Sequence, residues 1–406
     1  MDATNEGTKH DTARPGSRPR RATFLPYSPP SIGQDEIDEV VDTLRSDWIT
    51  TGPKTRAFEQ QFAAYVGAPG AASLMLNSCT AGLHVALATL GVGPGDEVIV
   101  PALTFAATAN VVEHLGATPV LADVSPDTLC LDPAAAAAAV TPATRVLVPV
   151  HYAGHPADLD ALDRLAAHHG LEILEDAAHA IPTRYRDTMI GSRSNFAAFS
   201  FYATKNLTTA EGGALTGPPE LLERARILAL HGMSKDAWKR FDKSGSWAYD
   251  VVAPGFKYNM TDLQASLGIH QLRRLERFHG RRREVARTYD RAFRGVPALE
   301  PPVERPEAAS AWHLYVLRLR PERLRIDRDA FIEELKARNI GTSVHYRPLH
   351  MMSYYADRYG FVPEDYPVAR DAFERMLSIP LHPALGDDDV EDVIDAVLSI
   401  VEAHAG

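Results

Sequence analysis

From Phe24 onward, helix-like and strand-like patterns alternate, and nothing else in the sequence constrains the fold as strongly. GQDEIDEVVDTLRS (33–46) sets Ile37, Val40, Val41 and Leu44 on one helical stripe, which predicts a helix. LHVALATLGVGPGDEVIVP (83–101) reads as helix, a Gly93-Pro94-Gly95 turn and then strand, and ATANVVEHLGATPVLADV (107–124) repeats the unit. Asp132-Pro133 followed by an alanine run supplies an N-cap, a proline at the first helical position and strong helix formers. RVLVPV (145–150), LEILE (171–175) and FAAFSF (196–201) are apolar runs of strand length, and the helix over 157–170 stops at Gly170. Strands separated by helices of this length predict an α/β fold, a mostly parallel sheet flanked by helices on both faces.

The character changes after residue 255. The stretch 261–293 contains no proline and predicts one long, arginine-rich helix with a solvated face. Pro297, Pro301, Pro302 and Pro306 mark a linker. Beyond it, strands over 311–319 and 341–346 mix with helices over 327–339 and 388–404. The expected organisation is a disordered tail at 1–22, a large domain over 23–255 and a smaller C-terminal α+β domain over 256–406. The net charge of −11 argues against a nucleic-acid partner, which needs a basic face. No run approaches the roughly 20 apolar residues of a membrane span, and no apolar leader marks a secretory signal. The two cysteines, Cys79 and Cys130, exclude a disulfide-rich scaffold and a four-cysteine zinc site, and they fit a cytoplasmic setting.

Four features could carry chemistry. Asn77-Ser78-Cys79-Thr80-Ala81-Gly82 precedes an amphipathic helical pattern, so free N–H groups and hydroxyls there suit an anion, or serve only as a helix cap. Asp176 follows a strand, where α/β sheets bind ligands, or it caps its own turn. Lys205 lies in SFYATKN after another strand, where an apolar wall lowers an amine pKa and makes it a nucleophile or base. Phe105, past the strand ending at Pro101, offers a ring face to a planar ligand or to the core. Together they supply a phosphate nest, a carboxylate, a stacking ring and an amine, the four groups a pyridoxal phosphate (PLP) site needs.

At this point the chain resembles the DegT/DnrJ/EryC1/StrS family of sugar aminotransferases, of the aspartate aminotransferase-like fold type I, from about Phe24 to about Ala403. The resemblance rests on NSCTAGLHVALATLGVGPGDEVIVPALTFAATANVV, EDAAHA, FSFYATKNLTTAEGGALT, PGFKYNMTDLQASLG and VHYRPLH, in that order. It implies that Lys205 forms the Schiff base with PLP and shuttles the proton, that Asp176 pairs with the pyridine nitrogen and that His179 approaches the phenolic oxygen. Phe105 and Ala178 would flank the ring. Ser78, Cys79, Thr80, Ala81 and Ser200 would surround the phosphate, with Cys79 standing where glycine is common. Asn259 would reach the phosphate of a neighbouring subunit, so the resemblance implies a homodimer with shared sites.

The dehydratase branch has histidine at the Schiff-base position, so Lys205 favours transamination. TTAEGG and EDAAHA resemble the members that aminate C4 of a nucleotide-linked keto sugar, with L-glutamate as donor in a ping-pong cycle. A C3-keto-sugar or cyclitol aminotransferase is the alternative within the family. A PLP-dependent amino-acid enzyme of the same fold, a PLP sugar dehydratase and a non-enzymatic regulator are the others. Substrate contacts are expected at Tyr27, Trp48, Thr50, Lys257 and His345, and from the segment 231–250, which mixes glycine, lysine and aromatics. His151 and His155 are spaced for a metal, but Gly154 and Pro156 break any helix there and no third ligand is evident, so no metal is expected.

Overall fold

A computed structural model describes residues 21–234 and 249–406. The expected tail and the centre of the 231–250 segment therefore lie outside the described residues, except at their edges. Arg21 belongs to the folded protein: its guanidinium donates to Asp389 and Asp392, both at 2.7 Å. At the other segment, the Ser234 N–H donates to Asp250 O (2.8 Å), so its two ends meet.

The strands are β1 Leu74–Leu76, β2 Glu97–Pro101, β3 Thr118–Ala122, β4 Thr144–Leu147, β5 Glu172–Asp176, β6 Arg184–Tyr185, β7 Thr188–Met189, β8 Phe196–Ser200, β9 Gly213–Thr216, β10 Leu299–Glu300, β11 Ala308–Ala309, β12 Tyr315–Leu319 and β13 Met376–Ile379. The helices are α1 Gln34–Arg45, α2 Pro53–Val66, α3 Cys79–Thr89, α4 Ala107–His114, α5 Pro133–Ala138, α6 Leu159–His169, α7 Pro219–Ala229, α8 Asp262–Phe293, α9 Arg328–Ala337, α10 Ser353–Tyr359, α11 Pro367–Arg375 and α12 Asp387–His404. The main sheet has seven strands in the order β1-β9-β8-β5-β4-β2-β3. Strand β9 pairs antiparallel with both neighbours, and the remaining pairs are parallel. Hence β1, β2, β5 and β8 all point the same way. Their carboxyl ends, which carry Ser78, Phe105, Asp176 and Ser200 or lead into them, gather on one edge.

Local signals place the helices. Asp132 accepts from the Ala134 N–H at the start of α5, and Gly170 ends α6 with φ 68°. Thr261 caps α8 with a reciprocal Gln264 contact. The first half of α8 (Ala265, Ile269, Leu272, Leu275) packs with Phe58, Phe62, Phe199 and Phe201. Its second half (Val285, Ala286, Tyr289, Phe293) packs with Phe331, Leu377 and Val393 beside the β10-β12-β13 sheet.

Several expectations are corrected here. Helix α3 is not amphipathic: nine of its residues from Cys79 to Thr89 are buried, so it is a core helix covered all round. Helix α1 exposes Ile37 and Leu44 of its apolar stripe and buries Glu36 and Thr43 instead. The reason is electrostatic, because buried Glu36 accepts from Gln271 (2.7 Å) and Arg274 (2.6 Å) of α8. GTSVHY (341–346) forms no strand and makes only a bridge between Ser343 and Ser378. In 311–319 the strand begins at Tyr315, because the Ala311, His313 and Leu314 N–H groups are committed to the carbonyls of Gly154 and Ala153. The regular strand of the 145–150 run ends at Leu147, though Val148 still donates to Ile99 O and Val150 bridges Asp176, and the 171–175 strand extends to Asp176.

Candidate active site

Asp176 is the last residue of β5 and is buried. Its Oδ2 accepts from Thr108 Oγ1 (2.8 Å), and its Oδ1 accepts from the Ala178 N–H (3.1 Å). Thr108 in turn shares a hydroxyl contact with Thr104 (2.9 Å), one helical turn earlier. Burial raises the Asp176 pKa, opposed by these donors and by Lys205 and His151. A carboxylate taken out of water with no ion-paired partner is stabilised by a bound cation.

Lys205 lies in the turn after β8, where its N–H donates to Tyr202 O (2.9 Å). Burial lowers its pKa to about 8, against upward pulls from Cys79 and Asp176. Its Nζ makes no hydrogen bond to any described residue, so a large share of the amine is neutral near pH 8 and available as a nucleophile.

Ser78 caps α3, its Oγ accepting from the Ala81 N–H (3.1 Å). Gly82 N–H is taken by Ser78 O (3.2 Å). The N–H groups of Cys79 and Thr80 stand at the open helix terminus, where no intrahelical acceptor exists. Cys79 keeps a helical backbone, and its buried thiol contacts Ala198 O (3.4 Å), so the N–H donors survive the replacement of the usual glycine. Ser200, buried at the end of β8, and Gly213, opening β9, complete the cradle. A Cβ at 213 would lie 2.5 Å from Ser78 C, 2.6 Å from Cys79 N and 2.7 Å from Phe199 O, so only glycine lets β9 pass this close to the helix start.

His179 follows Asp176 and Ala178 into the same crevice. The Ala153 N–H donates to its Nδ1 (3.2 Å), and its Nε2 lies 3.1 Å from Tyr346 Oη. Its ring stands 4.4 Å from that of His313. Phe105 is exposed at the mouth, 5.5 Å from the Tyr346 ring. Tyr27 lies 5.5 Å from His345, whose Nδ1 bonds Ser378 Oγ (2.9 Å) and whose pKa burial pushes down to about 4. Ser28 Oγ donates to Thr204 O (3.4 Å), which fixes the N-terminal stretch beside the lysine turn.

The other candidates gather elsewhere. Asn259 Nδ2 donates to Thr51 Oγ1 (2.7 Å), and Trp48 Nε1 donates to Thr51 O (2.7 Å). Thr50 O accepts from the Asp262 N–H (2.9 Å). Asn259 and Thr51 line a cleft of about 330 Å³ with Arg56 and Arg226. Lys257 is exposed, and its carbonyl accepts from Asn77 Nδ2 (3.4 Å). Thus one set of residues surrounds Lys205, and Trp48 and Asn259 share Thr51 as partner, with Asn259 bridging Leu76 just before the Ser78 cap.

His151 and His155 are fully engaged. His151 bonds Glu175 (3.0 Å) and accepts from the Ala157 N–H, and His155 bonds Pro156 O and the Arg305 N–H. Among the described residues, no group of three or more His, Cys, Asp or Glu could hold a metal ion, and no helix is long and apolar enough to cross a membrane.

Thr108, Asn206, His313 and Tyr346 escape a reading of the sequence alone. Thr104 and Thr108 sit at i, i+4 within a motif, which is a usable signal. His313 is hidden inside a run that reads as strand.

The residues present fit pyridoxal phosphate: a buried carboxylate for a cation, an unpartnered amine, and a helix terminus with a glycine-tight cradle for phosphate. Comparison with known proteins agrees. The model of the DegT/DnrJ/EryC1/StrS aminotransferase family matches residues 30–398. The spore coat polysaccharide biosynthesis protein SpsC of Bacillus subtilis (strain 168) is 51% identical over 385 residues, 94% of this chain and 98% of its own. The PMP form of Spr1654 of Streptococcus pneumoniae, described as a sugar aminotransferase, superposes with TM-score 0.88 at 40% identity, covering 93% of this chain and 99% of that one. It has also been solved in a PLP form. Helicobacter pylori PseC, an aminotransferase involved in the biosynthesis of pseudoaminic acid, superposes with TM-score 0.85 at 28% identity, covering 94% of this chain and all of that one. The chain belongs to the DegT/DnrJ/EryC1/StrS aminotransferase family and is a PLP-dependent sugar aminotransferase.

Proposed function

We propose that this enzyme moves the amino group of L-glutamate onto a nucleotide-linked 4-keto sugar in two half-reactions. The observation that carries the reading is Lys205: a half-buried amine without a hydrogen-bond partner among the described residues, its pKa lowered to about 8, next to buried Asp176 on the carboxyl edge of the sheet. The relatives support the sugar class, since one is named for polysaccharide biosynthesis and another for making pseudoaminic acid.

When bound, PLP supplies an electron sink for the bond broken at the donor's Cα. Asp176 would hold the pyridine nitrogen in its protonated state, its own orientation fixed by Thr108 and the Ala178 N–H. The α3 terminus with Ser78 and Ser200 would hold the phosphate, and Phe105 and Ala178 would flank the ring. His179 would donate its Nε2–H towards the phenolic oxygen. Lys205 would take the proton from Cα of glutamate and deliver it to C4′ of the cofactor. It reverses the transfer when the sugar ketone is the partner. Trp48, Thr50 and Asn259 would serve the site of a second copy, so the working unit is a homodimer. Tyr27, His345 and Lys257 face the sugar nucleotide.

The test has two arms. Incubating the PLP-loaded protein with L-glutamate should release one equivalent of 2-oxoglutarate per site. Adding UDP- or dTDP-linked 4-keto-6-deoxyhexoses should then yield the 4-amino sugar by mass spectrometry. Release of 2-oxoglutarate followed by amination only of a 3-keto sugar or a cyclitol ketone would refute the C4 assignment. No release would refute glutamate as donor.

A further inference from the structure

Behind His179 lies a second histidine that the chemistry above does not use. His313 is buried, and its ring centroid stands 4.4 Å from that of His179 with a 39° interplanar angle. Hydrogen-bond partners fix the proton on each ring. Asn206 spends its Nδ2 on Ile181 O (3.0 Å) and Ala311 O (2.9 Å), so its Oδ1 can only accept, and His313 Nδ1–H donates to it (3.2 Å). Ala153 N–H donates to His179 Nδ1 (3.2 Å), which leaves the proton of that ring on Nε2, pointing at Tyr346 Oη (3.1 Å).

The two histidines are both tied to one residue, Ala153. Ala153 C=O accepts from the His313 N–H (3.0 Å), while Ala153 N–H serves His179. Ala153 adopts φ 57°, a left-handed conformation costly to a non-glycine residue, to present both groups. Arg282, also buried, pins the same segment by donating to Trp312 O (3.3 Å), His313 O (3.2 Å) and Leu381 O (2.6 Å). Asn206 adjoins Lys205 in the chain, so the circuit closes on the lysine turn.

We propose that His313 is a positioning residue, whose ring holds the His179 ring in the orientation that directs Nε2–H into the site. This rests on the reading that His179 serves the cofactor. Burial and the nearby Lys205 keep both imidazoles neutral, which suits ring-on-ring contact without charge repulsion. The charged and titratable groups around the pair are Lys205, His345, Arg282, Tyr152 and Tyr346.

The test compares His313→Phe with His313→Leu in the full-length protein. Both lose the bond to Asn206 and fill the volume, so their difference reports the ring. Histidine-selective ¹⁵N NMR reads the tautomer of His179 without any turnover. The expected result is a single Nε2–H form in the parent and in His313→Phe, and averaged shifts in His313→Leu. The kcat of the glutamate half-reaction should fall on the order of tenfold in His313→Leu with KM little changed, because a misplaced donor costs rate more than binding. A single Nε2–H form and parental kcat in His313→Leu would overturn the proposal, as would equal damage in both variants. Should His179→Ala retain full activity, the role of His179 fails, while the NMR comparison still decides what His313 does.

Discussion

Replacing Thr108 by valine tests the wiring of the buried carboxylate. The exchange keeps shape and removes one hydroxyl, the donor at 2.8 Å from Asp176 Oδ2. It leaves Asp176 with the Ala178 N–H on its other oxygen. A hydrogen bond to a charged group is worth about 1.5–3 kcal/mol. At 1.4 kcal/mol per factor of ten, that is a loss of roughly 10- to 140-fold in affinity for a ligand that needs the carboxylate ionised. Burial already raises the Asp176 pKa, and losing a donor raises it further. The weakening therefore grows as pH falls. The assay is a fluorescence titration of PLP into the cofactor-free protein at several pH values. Thr104→Val is the control, because Thr104 touches Thr108 and not Asp176. A Kd for Thr108→Val within about twofold of the parent, or an equal loss in the control, would refute the reasoning.

Three further outcomes are expected. Lys205→Ala should abolish turnover while PLP still binds without covalent attachment, seen as an absent adduct after borohydride reduction; in the parent, the rate of attachment should rise with pH around a midpoint of about 8, because the neutral amine reacts, and a midpoint near that of an ordinary lysine would contradict the burial argument. Asp176→Asn should raise the melting temperature of the cofactor-free protein at neutral pH and eliminate amine transfer: an acid whose folded pKa is raised costs stability above that pKa, and asparagine removes the cost, so a lower melting temperature would count against it. Gly213→Ala should destabilise by about 1–3 kcal/mol, since overpacking a tight contact costs that much, and weaken PLP binding through the displaced α3 terminus; thermal unfolding and PLP titration check both.

Much of the architecture was legible because periodicity and punctuation are local. Gly170, Asp132-Pro133 and Thr261 mark helix ends through their own backbone preferences and capping atoms. The errors arose where a distant partner overrode the local pattern. The apolar stripe of α1 lost to Glu36, whose partners Gln271 and Arg274 lie more than 230 residues away. The strand pattern at 311–314 lost to carbonyls at 153 and 154. Helix α3 read as amphipathic, yet it is enclosed on all sides by elements from across the chain.

Local sequence pattern sets the order of strands and helices, and with it the class of sheet, since βα units of this length admit few other solutions. It also carried Lys205, Asp176 and the Ser78–Ala81 cap, because each follows a strand and such ends are where α/β sheets bind ligands. What those residues become depends on their surroundings in the folded protein. Folding shields Lys205 from water and lowers its pKa to about 8, where sequence position alone leaves an ordinary lysine. It sets Thr108 on Asp176, His313 on His179 and Tyr346 beyond it, and it joins Asn259 to Thr51. Desolvation and hydrogen-bond geometry depend on what surrounds a group in space, and those surroundings are contributed by segments tens to hundreds of residues apart.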